Sequence, residues 1–552
     1  MADKTYDAVV IGGGSKSLVT ALYLQAYGGM KTCIVEDRHE LGGCLHWQDG
    51  PAPGFSWDVH ATIVWDWYFL PILYDFPKFE EYGARFRYFP AVQAIMFKSS
   101  DDYLVIYHRK YDPTGELTAK ELARYSKQDV ETFLKLEEHY MEPGGRKDAA
   151  LQQMYSLPPE PGQPDALELW TMNYVRRPDA VFDDRMMFMS ANQGMRTQWE
   201  GIPLRCYLLS TIPFMHMHPD EMGGFAAVSW AVPFSREYSF VAGGTHNIAH
   251  AMVRLFVENG GEFYSKSEVD KIIIENGEAR GVRLADGTEV KAKIVVSGVD
   301  PHQLCFRFIG NGHLDAKVMK KITNLERIWQ AGIAGATFAV QDYPNYTAAK
   351  FNPIFEGGVH NILIWKEMDE NQAALETNDL RQGIDPENPY QLFAFGVHSA
   401  IDPTRVPDGK CFVATASLGL VLHDRSEKEW LQYRRWKANQ SLRTLQAVAP
   451  NMTWDNVIDY RVNSAYEMSK GKRNMPTGNE NVIDCIPSQM GRFRPIPEWA
   501  DHRIPPIKNL YGTGAAWGCS PGANSAQGYT CYKAIAIDHG LRKPWEEKNR
   551  PW

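Results

Sequence analysis

Residues 6–36 read YDAVVIGGGSKSLVTALYLQAYGGMKTCIVE. An apolar run over 6–11 is followed by three glycines, a segment of helical character that reaches Tyr27, a second apolar run over 32–35 and the acidic Glu36. Strand, glycine turn, helix, strand and acid in this order are typical of a dinucleotide-binding βαβ unit. The stretch therefore predicts a nucleotide cofactor, and a glycine turn in an ordinary α/β unit is the alternative.

The small residues of this turn have separate predicted roles. Gly12 lets the chain turn tightly out of the first strand, and Gly14, which lacks Cβ, lets the backbone approach a pyrophosphate at the helix N-terminus beside Ser15. The third glycine position holds Ser17, so we expect helix and strand to pack slightly less closely. Glu36 can accept hydrogen bonds from ribose hydroxyls and would repel a 2′-phosphate, which favours FAD or NAD over NADP.

The residues from Glu36 onward distinguish between these two nucleotides. Residues 36–43 fit the pattern E-x-R-x-x-x-G-G and resemble the extension typical of FAD enzymes related to phytoene desaturase and the amine oxidases. The resemblance implies that FAD is bound and that the paired glycines bring a further backbone turn against it. The cofactor residues implied here are Glu36, Asp37, Arg38, Gly42, Gly43 and Cys44, the last expected to be a structural thiol rather than a redox centre.

Further blocks extend the resemblance over most of the chain. Residues 55–63 look like that family's F-x-F-D-x-G-P-T-x-I, and residues 243–246 look like the start of its G-G-M-G-x-L. Residues 260–297 resemble its middle β-meander, and residues 493–524 resemble its closing motif around the flavin. Residues 398–410 match the carotenoid-ketolase-like and retinol-saturase-like branch of the phytoene desaturase family. The further cofactor residues implied are Val269, Gly514, Ala515, Gly522, Ala523 and Asn524, while Ser520 stands where the family often has a histidine.

The resemblance implies an α/β fold with a discontinuous Rossmann-type FAD-binding domain and a mixed α+β substrate domain. We expect the FAD domain at 1–75, 235–310 and 480–545, the substrate domain at 76–234 and 311–479, and an irregular tail at 546–552. Residues 329–340, rich in small and β-branched side chains, predict a buried strand, and a helical pattern begins near Glu427. The capping-box pattern at 118–121 predicts a helix that runs to Glu138.

Composition excludes several classes of protein. The net charge of −9, without long blocks of like charge, argues against a nucleic-acid partner. No apolar run approaches the roughly 18 residues of a membrane-spanning helix, and a first strand near Tyr6 leaves no room for a signal peptide. We therefore expect a cytoplasmic protein, soluble or peripherally associated with a membrane. Both homo- and hetero-oligomers are compatible with the sequence.

Neither a disulfide framework nor a metal site is predicted. The eight cysteines lie far apart and include no C-x-x-C pair, so each is expected to be a free thiol. His216 and His218 alternate as a pair of metal ligands on a strand would, but the sequence offers no third ligand nearby. A pocket wall or a loop is therefore the preferred interpretation of this histidine pair.

Two histidines replace glycines of the family motifs and are candidates for proton transfer. His60 occupies the glycine position of the segment that the resemblance places beside the flavin ring, and His246 occupies a glycine position at the start of the next motif helix. An imidazole at either place could exchange a proton near neutral pH. The alternative for each is a hydrogen-bonded core residue.

Aromatic side chains are concentrated between Phe55 and Phe89, where thirteen occur. Rings at this density suit the wall of a pocket for an apolar substrate, and equally a core or an oligomer interface. The predicted pocket residues are Trp57, Trp65, Trp67 and Trp517.

Taken with the resemblance, these observations predict an FAD-dependent oxidoreductase acting on a small, hydrophobic, unsaturated substrate, terpenoid or similar. The reaction would transfer hydride between carbon and flavin N5, as a desaturation, a saturation or an allylic oxidation. Oxygen, a quinone or a carrier protein could accept the electrons. The alternatives are a redox-neutral isomerase or hydratase of an activated alkene, and a non-catalytic flavin-holding subunit of a complex.

Overall fold

The computed structural model describes residues 4–327, 331–395, 398–420, 425–518 and 522–550. Its strands are β1 (Lys4–Ile11), β2 (Thr32–Val35), β3 (Trp47–Asp49), β4 (Ser56–Asp58), β5 (Phe86–Arg87), β6 (Ala91–Phe97), β7 (Tyr103–Tyr107), β8 (Phe240–Val241), β9 (Glu262–Tyr264), β10 (Val269–Glu275), β11 (Glu278–Leu284), β12 (Glu289–Ser297), β13 (Ala331–Val340), β14 (Val359–Trp365), β15 (Gln391–Phe395), β16 (Cys411–Leu420), β17 (Val457–Asn463) and β18 (Leu510–Gly512).

The helices lie between and after these strands. They are α1 (Ser15–Ala26), α2 (Leu70–Asp75), α3 (Lys78–Glu81), α4 (Glu116–Leu122), α5 (Lys127–Met141), α6 (Arg146–Tyr155), α7 (Ala166–Tyr174), α8 (Ala191–Gln198), α9 (Ile202–Leu209), α10 (Thr211–Phe214), α11 (Gly224–Val228), α12 (Ala231–Ser235), α13 (His246–Glu258), α14 (Ala316–Thr323), α15 (Gln372–Arg381), α16 (His398–Ile401), α17 (Glu427–Gln446), α18 (Ala465–Gly471), α19 (Ala526–His539) and α20 (Pro544–Glu547).

The first sheet has the order β10-β11-β12-β1-β2-β9, with β18 paired to β12. β1 runs parallel to both β12 and β2, so the carboxyl ends of these three strands meet at one edge of the sheet. The glycine turn, Glu36 and Gly298 all follow strands at that edge, where parallel α/β sheets bind their ligands. Helices α1, α13 and α19 share a buried apolar core with this sheet. The predicted Rossmann-type fold is confirmed.

The second sheet has the order β17-β13-β16-β15-β14-β6-β7. Its neighbours are antiparallel except for β6 and β14, which run parallel. Alternate residues of β6 face opposite layers: Ile95 and Phe97 pack with the helices between 122 and 232, whereas Ala94 and Met96 pack with α17. This sheet is therefore covered on both faces, in accordance with the predicted mixed α+β architecture. The domain boundaries stay a prediction.

Two local predictions for this region are confirmed and one is wrong. The predicted buried strand is β13, although Trp329 and Gln330 lie outside the described residues, and the predicted helix near Glu427 is α17. The single helix expected from the capping box at 118–121 is instead two helices, α4 and α5. The Thr118 hydroxyl and amide both donate to Asp112 Oδ2, at 2.9 and 3.0 Å, and Ser126 caps a new helix by accepting from the Asp129 amide.

Ser17 does not loosen the packing of α1 against the sheet, because the residue that faces it from the sheet, Gly298, is itself a glycine. A Cβ on Gly298, the residue after β12, would approach within 2.0 Å of Ser17 Oγ. Ser17 itself is buried. The close approach that a third glycine usually permits is thus supplied by Gly298.

Buried contacts join three of the sequence blocks that resemble the desaturases. Asp58 forms an ion pair with Arg405 at 2.9 Å, with both side chains almost fully buried, and it also accepts from the Thr245 amide just before α13. Asp402 accepts from the amide of Gly243. The blocks around residues 58, 243 and 402 therefore hold one another in place through buried contacts.

No helix within the described ranges is both long and apolar enough to cross a lipid bilayer.

Candidate functional site

A cavity of about 330 Å³ lies at the carboxyl edge of the first sheet; we call it the inner cavity. The turn after β1, the end of β2, the turn before β3 and the start of β10 surround it. Eight of the predicted cofactor residues line it: Gly12, Gly14, Glu36, Asp37, Arg38, Gly43, Cys44 and Val269. The structure thus brings residues from distant blocks of the sequence to one cleft.

The inner cavity fits a dinucleotide where the first glycine turn meets α1. Gly12 has φ +86°, which favours glycine, and a Cβ built on Gly14 would meet no protein atom within 4 Å. Gly14 is the N-cap of α1, whose first residue is Ser15, and it offers no side-chain hydrogen bond to the first helical turn. Free amides and the positive end of the helix dipole are the groups that hold a pyrophosphate.

The paired glycines form a second turn directly against the first. The Gly42 amide donates to the Gly13 carbonyl at 2.8 Å, and Gly42 and Gly43 have φ values of +127° and +61°. A Cβ on Gly43 would lie 2.9 Å from Gly14 Cα. Side chains at these positions would therefore be strained and would separate the two turns.

Glu36 is buried at the end of β2. Its carboxylate accepts from the amides of Gly13 and Arg38, at 2.6 and 2.9 Å. Burial, with a smaller effect of neighbouring Asp37, nevertheless raises the pKa of Glu36 to about 7. A buried carboxylate of this kind gains from hydroxyl donors, which the ribose of a nucleotide provides.

The predicted residues of the closing motif lie between the first sheet and α19. Gly514 packs beside Gly298, and the Ala515 carbonyl accepts from Arg494 Nε at 3.0 Å. Asn524 donates to the Gly522 carbonyl and accepts from the Ala526 amide at the start of α19. Ala523 packs against the core of the first sheet. Cys519, Ser520 and Pro521 lie outside the described residues.

Lys16 was missed by the sequence analysis. Its ammonium group is buried and donates to the Gly522 carbonyl, which ties the first turn to the closing motif. Burial lowers the pKa of Lys16 to about 8. Its place in the first turn of α1, immediately after the glycine turn and Ser15, is a signal that could have identified it.

A second cavity, of about 490 Å³, adjoins the inner one; we call it the outer cavity. Arg38, Gly471 and Lys472 line both cavities. The outer cavity is also lined by His60 and by His46, whose rings lie 5.1 Å apart between centroids. His46, three residues after the paired glycines, was not predicted.

Both histidines of the outer cavity are held in the neutral state. Burial, and then the charges of Lys472 and Arg38, lower the pKa of His46 to about 3. Burial, with Lys472 next in importance, holds the pKa of His60 well below its usual range. The Nδ1 atom of His60 is buried and has no hydrogen-bond partner among the described residues. A neutral imidazole with an unsatisfied nitrogen can take up a proton from a ligand.

Lys472 separates the two cavities. Its ammonium group donates to the Gly43 carbonyl and lies 3.2 Å from His46 Nδ1. Burial lowers its pKa to about 8. Neighbouring Arg473 forms an ion pair with Asp37 at 3.3 Å, so the segment after α18 closes over the predicted cofactor residues.

His246 is the first residue of α13, where the sequence placed it. Its ring lies 5.1 Å from that of His250, and burial lowers its pKa to about 4. It is not among the described residues that line the inner or the outer cavity. Its catalytic role stays a prediction without geometric support, whereas His60 lines the outer cavity.

The four predicted pocket tryptophans lie in packed clusters. Trp65 and Trp67 pack against Tyr68 and Phe234 in tilted and edge-to-face arrangements, with ring centroids 4.6 to 5.5 Å apart. Trp57 packs against Phe412, and Trp517 is fully buried and donates to the Trp499 carbonyl. None of these four described side chains lines the outer cavity. Their substrate contact stays a prediction.

Apart from Cys44, the described cysteines and the histidine pair His216 and His218 lie away from the linings of the two cavities. The seven cysteines in the described ranges form no disulfide bonds. His216 Nε2 lies 3.2 Å from Glu480, and His218 Nε2 lies 3.1 Å from Asn378 Oδ1. Within the described residues, no group of three or more histidine, cysteine or acidic side chains could hold a metal ion.

Comparison with known proteins agrees with this geometry. The family model described as "Flavin containing amine oxidoreductase" matches residues 18–326, which is more than half of the chain. The chain belongs to this family. Its membership and the fit of the inner cavity assign FAD as the cofactor, and the protein is an FAD-dependent oxidoreductase.

Individual relatives and a solved structure are also similar to this chain. A limonene dehydrogenase subunit of Castellaniella defragrans is 24% identical over 99% of this chain and 97% of its own length. The 4,4′-diapophytoene desaturase (4,4′-diapolycopene-forming) of a Methylomonas species is 30% identical over 54% of this chain and 53% of its own. An oxidoreductase from Methanosarcina mazei shares the fold, with a TM-score of 0.57 at 16% identity over 96% of this chain and 99% of its own. The predicted membership of the phytoene desaturase family is confirmed, while the branch stays a prediction.

Proposed function

We propose that this protein oxidises or reduces an unsaturated, largely hydrocarbon substrate by hydride transfer between a substrate carbon and FAD. The observation that carries the proposal is the position of His60, a residue that lines the outer cavity and whose buried Nδ1 has no hydrogen-bond partner among the described residues. The outer cavity adjoins the inner cavity through Arg38, Gly471 and Lys472. The names of the limonene dehydrogenase subunit and the diapophytoene desaturase support a hydrocarbon substrate.

The residues that would hold FAD are those of the two glycine turns and Glu36. When bound, FAD supplies the acceptor for a hydride that leaves the substrate. Removal of a hydride from one carbon requires loss of a proton from its neighbour if a double bond is to form. The imidazole of His60, which burial keeps neutral by lowering its pKa, takes this proton at Nδ1.

Anaerobic mixing of the FAD-loaded protein with a panel of terpenoid alkenes tests the proposal. A substrate should bleach the oxidised flavin absorbance stoichiometrically, and oxygen or a quinone should restore it. Product formation in the absence of any acceptor, without net bleaching, would instead indicate an isomerase or hydratase. If no compound changes the flavin and none is converted, the protein is better explained as a flavin-holding subunit.

A further inference from the structure

The lining of the outer cavity is rich in cations. Arg38, Arg434, Arg435, Arg461 and Lys472 line it, against the carboxylates of Asp459 and Glu467. Such a surplus of positive charge inside one cleft attracts anions and raises their local concentration.

The acidic residues do not neutralise this surplus. Glu467 is already engaged, because it pairs with Arg434 and accepts from the amide and hydroxyl of Ser464 at the start of α18. Asp459 lies at an exposed position of β17. Of the two carboxylates that line the cavity, only Asp459 lies outside this pair.

Two of these cations lack an acidic partner of their own. Within the described ranges, no carboxylate lies within ion-pair distance of Arg435 or of Lys472. Lys472 is only 8% exposed, and a buried ammonium group without a counter-ion is costly unless a ligand supplies the charge. Arg435 is exposed on α17, at the solvent side of the same cavity.

Four apolar side chains that a hydrocarbon chain could contact also line the cavity. Val59 and Val462 lie near the histidines, and Leu431 and Met468 lie on the helices that flank the cavity. The cavity thus offers both cationic and apolar contacts, and His60 is among the residues that line it.

We infer that the substrate carries an anionic group, a carboxylate or a phosphate ester, which is held by Arg435 and Arg461 while its unsaturated carbons reach His60. This inference rests on the proposed function for the reaction and adds the chemical class of the substrate. It replaces the wholly apolar substrate that the aromatic composition suggested. Arg fits both anions, because its planar guanidinium donates two parallel hydrogen bonds to a carboxylate or a phosphate.

The cofactor's own phosphates are the competing explanation for some of these charges. Arg38 and Lys472 line the inner cavity as well and are expected to face FAD. Arg435 and Arg461 line the outer cavity only, according to the described linings. Substitution of this second pair therefore separates substrate binding from cofactor binding.

The test compares three ligands with the same ten-carbon chain: geraniol, geranic acid and geranyl diphosphate. Each is titrated calorimetrically into FAD-loaded wild-type protein and into the double variant Arg435→Gln/Arg461→Gln. The matched control is Arg443→Gln, which removes an exposed arginine of the same helix that pairs with Glu387. FAD content is measured in every preparation.

At low ionic strength, geranic acid or geranyl diphosphate should bind the wild type at least tenfold more tightly than geraniol. The double variant should lose most of this preference at unchanged FAD content, and Arg443→Gln should keep it. Preference for only one anion identifies the head group as carboxylate or phosphate. Equal binding of the three ligands, tighter binding of geraniol, no binding at all, or a preference that survives in the double variant overturns the anion site.

Flavin bleaching in the same samples separates this inference from the proposed function. Bleaching by geraniol without any preference for the anions would refute the anion site and leave hydride transfer standing. Tight, arginine-dependent binding of the anions without bleaching by any alkene would support the anion site and count against the proposed reaction.

Discussion

Gly14 shows how a single residue can be essential for the cofactor without being essential for the fold. Its Cβ position is open in the protein itself, so a side chain there meets only what fills the inner cavity. Gly43, by contrast, faces the Gly14 backbone at 2.9 Å. The two glycines therefore predict different outcomes on substitution.

We predict that Gly14→Val yields a folded protein that binds little or no FAD, because the branched side chain occupies the pyrophosphate space. Circular dichroism should be near that of the wild-type apoprotein, while the flavin absorbance is lost. Gly43→Val is the comparison, and it should also lower stability because φ is positive there. A Gly14→Val protein with full FAD content would contradict the assignment of the turn.

His60→Ala is expected to lower the rate of flavin reduction by a substrate by about 10²- to 10⁴-fold while leaving FAD content intact. His250→Ala, which removes an exposed histidine of α13, is the matched control. The rate and the FAD content are measured on the same preparation. A normal rate per bound flavin in His60→Ala would show that the residue only packs.

At the scale of elements, α1 is joined to the sheet by the contact between Ser17 and Gly298. Gly298→Ala would place its Cβ against Ser17 Oγ at 2.0 Å and near the Ile11 carbonyl at 3.0 Å. We expect a loss of about 1–3 kcal/mol in the free energy of unfolding, as for other overpacked cores.

The double variant Ser17→Ala/Gly298→Ala provides the check, because it removes the hydroxyl that clashes. It should recover part of the lost stability, and a double-mutant cycle in urea measures the coupling. Strict additivity of the two substitutions would mean that the helix and the strand do not meet at this point.

Elements built from adjacent residues could be predicted from the sequence, and those that depend on distant packing could not. The βαβ unit around Gly12 and Gly14 follows from local turn chemistry and strand pattern. The single helix predicted from residue 118 onward is wrong, because Thr118 donates its amide and hydroxyl hydrogen bonds to Asp112, which lies outside the capping-box pattern.

Sites assembled from remote parts of the chain were missed for the same reason. Lys472 donates to the carbonyl of Gly43, 429 positions away. No local sequence pattern predicts such a contact. The cationic outer cavity likewise forms only where β17, α17 and α18 come together in the fold. The sequence-based prediction of the substrate pocket therefore relied on the aromatic-rich segment instead.

At the scale of the whole molecule, burial of neutral histidines makes stability depend on pH. The pKa of His46 is about 3 in the folded protein, below the roughly 6.5 of an unfolded chain. The unfolded state therefore binds more protons below pH 6.5, so this stabilising contribution is present above that pH and is lost as the pH falls toward 3.

Between pH 7 and pH 5, His46 should account for about 2 kcal/mol of lost stability. Urea unfolding at both pH values measures this loss, and His46→Gln should reduce it by that amount. The exposed His313→Gln is the control and should leave the pH dependence unchanged. Equal acid sensitivity of His46→Gln and wild type would contradict the neutral, buried state.

The central claim is that the two glycine turns, Glu36 and the closing motif form one FAD site across the carboxyl edge of the first sheet. Mild acid release of the cofactor from purified protein, followed by chromatography and mass measurement, tests it most directly. We predict FAD, released intact and in near-stoichiometric amount. Recovery of FMN, of NAD alone, or of no nucleotide from folded protein that also fails to bind added FAD would contradict the account.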